Sequence, residues 1–160
     1  MNQQRGFTLI ELVVVIVILG LLAATALPKF IDVTTDARQA SVQGVAGGLR
    51  AAAALGQAQY VVNGDSSAIS ISMGGTNVQV LDDDTYTGLG GRPDGSDFGI
   101  RIAMPDPDGF TVNGTAGTLG TVTTDSVTYR PDSGPGDNTC QAEYDPDNTN
   151  DPVIVTLTGC

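Results

Sequence analysis

The chain of 160 residues contains no histidine, and its seven lysines and arginines face eighteen aspartates and glutamates, a formal charge of −11. Without histidine there is no imidazole to serve as a general base or as a metal co-ligand, so a thiol or hydroxyl nucleophile has no neutral-pH activator. Scarcity of bases excludes a second class. From Tyr60 onward there are fifteen acids against three arginines, and phosphate recognition needs clustered lysine and arginine, so the carboxy-terminal part is not a nucleic-acid binder. A strongly acidic surface instead favours solubility and an exterior, saline setting. The Asp132-Ser133-Gly134 tripeptide has the form found in aspartic proteases, but it sits between Pro131 and Pro135 and has no second copy. Asp-Ser-Gly is a favoured turn sequence, and no enzyme is expected.

Charge is missing in another place, and there the absence is informative. Leu12 to Leu27 is an uncharged apolar run, and Glu11 stands alone at its head. Residues 7–27 reach the ~20 residues that cross a bilayer at 1.5 Å per residue. A carboxylate near the start of such a segment is unfavourable by roughly 2.5–3.5 kcal/mol on insertion scales, so it reads as functional and needs a compensating partner. A secretory signal peptide is the competing reading, with Ala24-Thr25-Ala26 as the small-x-small cleavage site. The run exceeds the usual 7–15 residue apolar core and holds a glutamate, which weighs against that reading. Were it right, the remainder would be a soluble secreted binding domain.

The string Arg5-Gly6-Phe7-Thr8-Leu9-Ile10-Glu11 followed by Val, Ile and Leu resembles the amino terminus of type IV pilins and pseudopilins. The resemblance implies that a prepilin peptidase cuts between Gly6 and Phe7, releasing the leader 1–6, and that the new terminus at Phe7 is N-methylated. The short leader and the phenylalanine resemble the type IVa subclass. Pro28-Lys29-Phe30-Ile31-Asp32 and Asp36-Ala37-Arg38-Gln39-Ala40 are similar to the mannose-sensitive haemagglutinin pilin branch. The implied life history is an inner-membrane precursor pool, then polymerisation with its own kind into an extracellular filament, driven by an inner-membrane platform and an ATPase, for attachment or motility. A minor pilin, or a pseudopilin of a type II secretion system, shares this chemistry and is the nearest alternative.

Within that frame Glu11 has a physical role. Cleavage exposes an amine at Phe7, and a carboxylate four residues along a neighbouring helix pairs with it; deleting one partner of such a desolvated pair costs about 3–5 kcal/mol. The pair would set axial register in an otherwise undirected apolar core.

The expected fold is α+β: a long amino-terminal helix over 7–59, whose half at 7–27 is the membrane span and filament core, packed on a small antiparallel sheet in a head at 60–160. Gly20 and Pro28 interrupt the helix. Proline removes a hydrogen bond and crowds the preceding turn, predicting a kink or unwinding, and assembled pili are often unwound over such a stretch. Val33, Ala37, Ala40, Gly44, Gly47 and Ala51 recur every three or four residues, a small-residue stripe that permits close approach to the head's own sheet or to neighbouring helices. Strands are expected at Ala68–Met73, Asn77–Leu81, Phe98–Met104, Ser126–Tyr129 and Val153–Thr158 from their β-branched content and flanking turns. Residues 111–124 are too rich in Thr and Gly to assign, and Asn113-Gly114-Thr115 matches a glycosylation sequon.

Cys140 and Cys160, the two cysteines, lie in the part outside the cytoplasm and are expected to pair in that oxidising setting, giving a carboxy-terminal disulfide loop 140–160 like that of the pilins. No cofactor is required. Calcium is the one the pattern admits: Asp145, Asp147, Asn150 and Asp151 offer oxygen ligands of the type it prefers, although the loop lacks the glycine and glutamate of an EF-hand.

Overall fold

The structure, a computed structural model, describes residues 7–136 and 138–160, and the side chains of these apart from 26–32. The chain divides into two compact units, Met1–Ala37 and Arg38–Cys160. Helix α1 (Leu9–Asn63) supplies the first unit from Leu9 onward and the opening element of the second.

Among the described residues of the first unit no aliphatic side chain of α1 is buried. Exposure between Leu9 and Leu22 runs from 40% at Val13 to 80% at Leu9, which for a stretch this apolar marks a surface awaiting a partner or a lipid phase. Among the described residues no helix is long and apolar enough to cross a membrane; the described side chains stop at Thr25, short of the end of the expected span at Leu27. Helix α1 is assigned without interruption from Leu9 to Asn63. The unwinding expected between Gly20 and Pro28 is therefore not a feature of the isolated backbone, and the Pro28 side chain lies outside the described residues.

The second unit is the head. Its first sheet is a hairpin of β1 (Ser70–Met73) and β2 (Thr76–Gln79), antiparallel with Met73 opposite Thr76. Gly74 and Gly75 form its two-residue turn with φ of 58° and 87°, the double positive φ that matches strand twist and that side chains resist. After a short helix α2 (Ile100–Ala103) come β3 (Phe110–Asn113), β4 (Val127–Pro131), β5 (Gln141–Tyr144) and β6 (Val153–Thr156), an antiparallel sheet in sequential order. The α+β expectation of a long helix with a small antiparallel sheet holds.

Val42, Val45, Ala46, Leu49, Ala52 and Ala53 of α1 share one buried cluster with Val127, Tyr129, Ala142, Tyr144 and Val153 of the sheet. The spacing 42, 45, 49, 52 is helical, and these residues carry more apolar area than the alternative stripe. That decides which face turns inward. Val33, Ala37, Ala40, Gly44, Gly47 and Ala51 are all exposed, so the small-residue stripe does not pack on the head's own sheet. Gly56 is the helix glycine that packing requires, since a Cβ there would lie 2.5 Å from the Gly91 carbonyl oxygen.

One strand expectation needs correction, and two strands lie where none was assigned. Phe98–Met104 contains helix α2, not a strand: Arg101 pairs with Asp97 one helical turn earlier, and the Met104 N–H donates to the Ile100 carbonyl at 2.8 Å. An i,i+4 ion pair favours helix over the extended form. Strand β5, Gln-Ala-Glu-Tyr, is poor in β-branched residues and owes its place to tertiary burial of Ala142 and Tyr144. Strand β3 lies at the start of the Thr/Gly-rich stretch left unassigned by pattern. The strands consequently form two sheets rather than a single five-stranded one.

Candidate assembly site and the clasped carboxy terminus

Gly6 lies outside the described residues; Phe7, on the other side of the expected cut, is 93% exposed. Helix α1 begins two residues later, and the hydrogen bonds at its start explain why. The Thr8 carbonyl accepts from the Leu12 N–H at 3.3 Å, making Thr8 the cap residue. Its hydroxyl oxygen accepts from the Glu11 N–H at 3.3 Å, while its own N–H and O–H donate to Glu11 Oε2 at 2.9 and 2.6 Å. This is a reciprocal capping box, Thr-x-x-Glu, which satisfies amide groups that a helix start otherwise leaves open. Replacing such a cap with alanine costs about 0.5–2 kcal/mol. Glu11 thus has a partner inside its own chain. Thr8 is the capping residue that a reading for charge passes over, although the Thr-x-x-Glu spacing before an apolar run is its sequence signature. Around the box, Phe7, Ile10, Glu11, Val14 and Val15 line a shallow apolar recess.

At the other end of the chain Cys140 and Cys160 are joined in a disulfide with Cα atoms 4.8 Å apart. Both are buried in the head's core. Side chains of α1 hold the same segment from the helix side. Arg38 Nη1 donates to the Cys160 carbonyl at 3.0 Å, Gln39 Nε2 to that of Leu157 at 3.4 Å, and Arg50 Nη2 to that of Val153 at 3.1 Å. Strand β6 lies at the edge of its sheet; Arg50 occupies one of its acceptors, at Val153, and the other two donors hold the segment that follows it.

The acidic loop after β5 is organised by two arginines. Asp151 forms an ion pair with Arg50 at 2.8 Å, which chiefly holds its carboxyl below the usual range. Arg92, buried, donates through Nη1 to the carbonyls of Asn148 at 2.6 Å and Pro146 at 3.3 Å. Asp145 is pushed up to about 6, first by burial and then by its hydrogen-bonded neighbour Asp147. Of the four expected calcium ligands, Asp145 and Asp147 meet, Asp151 is drawn to Arg50, and Asn150 donates its N–H to the Asn148 side chain at 3.2 Å. Among the described residues no group of three or more acidic or cysteine side chains is arranged to hold a metal.

Two further features of the head are structural. Asp132 Oδ1 accepts from the Thr111 hydroxyl at 2.6 Å, so the Asp-Ser-Gly carboxylate fastens β3 to the turn after β4. Asp94, fully buried, accepts from the Ser96 hydroxyl at 2.6 Å, Gln79 Nε2 at 3.0 Å and the Thr123 N–H at 3.1 Å. Burial raises its pKa against these bonds. The node ties β2 to the Thr-rich stretch 118–123, where the Gly120 N–H also donates to Gln79 Oε1 at 3.0 Å.

Comparison with known proteins bears on part of the chain. Residues 1–27 match the prokaryotic N-terminal methylation motif. The chain is 51% identical over 57 residues to the type IV narrow pilus major component PilA5 of Thermus thermophilus, covering 36% of this chain and 49% of that protein. It is 43% identical over 72 residues to the type IV major alpha-pilin of Moraxella bovis, covering 44% and 45%. A fimbrial protein of Pseudomonas aeruginosa is 56% identical over 34 residues, 21% of this chain and 22% of that one. The chain thus spans less than half the length of these curated relatives, and no solved structure matches it. Motif and relatives together make the chain similar to type IV pilins over part of its length.

Proposed function

We propose that the chain is a structural subunit that polymerises through the first half of α1 into an extracellular type IV pilus. One observation carries this reading: the first part of α1 is aliphatic and exposed from Leu9 to Leu22, and its first turn holds the lone carboxylate Glu11 within the methylation motif. Burying each such side chain contributes about 1.5–3 kcal/mol, and equivalent helices of other subunits are the partner that buries many at once. The same surface suits the bilayer before assembly, with 7–27 as the span. Processing falls between Gly6 and Phe7, and the amine of Phe7 meets Glu11 of a neighbour. In the assembled fibre, Gly20 to Pro28 is where the helix unwinds.

This reading brings with it a prepilin peptidase, an inner-membrane platform with its ATPase, and an inner-membrane pool feeding a surface filament. The finer placement near the mannose-sensitive haemagglutinin branch is supported by the Pro28–Asp32 and Asp36–Ala40 strings alone. Glu11→Ala tests the mechanism. Shed filaments are expected to fall to a small fraction of the wild-type amount while the membrane pool persists; filaments as abundant as wild type would remove Glu11 from the assembly contact.

A further inference from the structure

We infer that Thr8 is the positioning residue of the Glu11 assembly contact: it grips one oxygen of the carboxylate so that the other is presented to the amine of an incoming subunit. The inference rests on the filament reading above and adds to it a residue and a geometry.

Both Thr8 donors converge on the same atom, the N–H at 2.9 Å and the O–H at 2.6 Å from Glu11 Oε2. Among the described residues nothing donates to Oε1. A carboxylate oxygen accepts about two hydrogen bonds, so Oε2 is filled and a third donor is directed to Oε1. Bonds to an ionised acceptor are short and strong, and the reciprocal bond from the Glu11 N–H to the Thr8 hydroxyl at 3.3 Å closes the ring. A free glutamate would sample many rotamers on the outside of an exposed helix turn. Held by Thr8, it samples few, and the ordering cost of forming the intersubunit pair falls accordingly. The same two donors keep the carboxylate from standing bare in an apolar phase before its partner arrives.

A helix cap alone would explain Thr8 equally well unless its donors matter, and substitutions separate the two roles. Serine keeps both the cap acceptor and the hydroxyl donor. Aspartate keeps the acceptor for the Glu11 N–H and the backbone donor but loses the hydroxyl donor to Oε2. Valine keeps the shape and loses both. The experiment places Thr8→Ser, Thr8→Asp and Thr8→Val in the full chain in its native host. It measures sheared filament per processed subunit in the membrane, with processing read from the mass of the amino terminus. The expected result is wild-type assembly for Thr8→Ser and a loss on the order of five- to tenfold for Thr8→Val and Thr8→Asp, the scale of one cap or hydrogen bond. Thr8→Asp assembling as wild type would leave Thr8 a helix cap only, and Thr8→Val doing so would retire its role entirely. Absence of filament from the wild-type chain would overturn the filament reading, which these variants alone do not touch.

Discussion

Removing the disulfide by Cys140→Ala with Cys160→Ala is expected to lower the stability of the head by about 3 kcal/mol. The bridge spans a sequence separation of 20, and the chain-entropy relation for a loop of that size gives about 11 cal/mol/K, or about 3.3 kcal/mol at 25 °C. Alanine is chosen because both sulfurs sit in the core, where a serine hydroxyl would add an unsatisfied group. The native state keeps its other fastenings: β6 still pairs with β5, and Arg38, Gln39 and Arg50 still donate to the Cys160, Leu157 and Val153 carbonyls. The head should therefore still fold, with an unfolding midpoint lower by roughly 10–15 °C for a unit of this size. Near-ultraviolet circular dichroism of the detergent-solubilised chain reads the loss of tertiary packing around the head's tyrosines. A shift below about 3 °C, under 1 kcal/mol at this size, would refute the reasoning and assign the closure of the tail to the α1 side chains instead.

Two buried tyrosines should respond differently to loss of their hydroxyls. Tyr144 donates to the Pro93 carbonyl at 2.7 Å, so Tyr144→Phe is expected to cost about 1–3 kcal/mol; the Tyr129 hydroxyl has no partner among the described residues, and Tyr129→Phe is expected to be neutral or stabilising in the same thermal assay. The raised carboxyl of Asp145, at about 6, favours the protonated folded state. Its contribution is complete below the unfolded value near 4 and is lost as pH rises through about 6, so stability should decline across that window and Asp145→Asn should flatten the decline. A titration of unfolding midpoint against pH checks this, and an unchanged slope in Asp145→Asn would count against it. Arg50 and Arg92 already supply positive charge to the loop at 145–151, so millimolar calcium is expected to leave the melting temperature unchanged. A rise reversed by a chelator would make this loop a calcium site after all.

The amino-terminal half of the molecule was legible because few physical solutions exist for a lone carboxylate heading a long apolar run. The head was harder. Ser70–Met73, Thr76–Gln79 and Val153–Thr156 carry β-branched residues between turn signals and lie where the pattern put them. Helix α2 shows no such signal; only the Asp97–Arg101 spacing hints at a turn of helix. Strand β5 is held by burial of Tyr144 and by Cys140 next to it, partners distant in sequence that no local pattern announces. The inward face of α1 illustrates a different difficulty. Two stripes, 42-45-49-52 and 40-44-47-51, have helical spacing, and the one with valines and leucine won because it buries more apolar surface. At the site, Glu11 was found by its charge, while Thr8 needed attention to capping rather than to chemistry.

The central claim is that this chain is processed at Gly6-Phe7 and assembles through α1. It is tested most directly by shearing filaments from the native cell surface and determining, by mass spectrometry, the abundance and amino terminus of this chain. The account predicts an abundant filament protein beginning at N-methylated Phe7, and a mature chain beginning at Leu27 would contradict it.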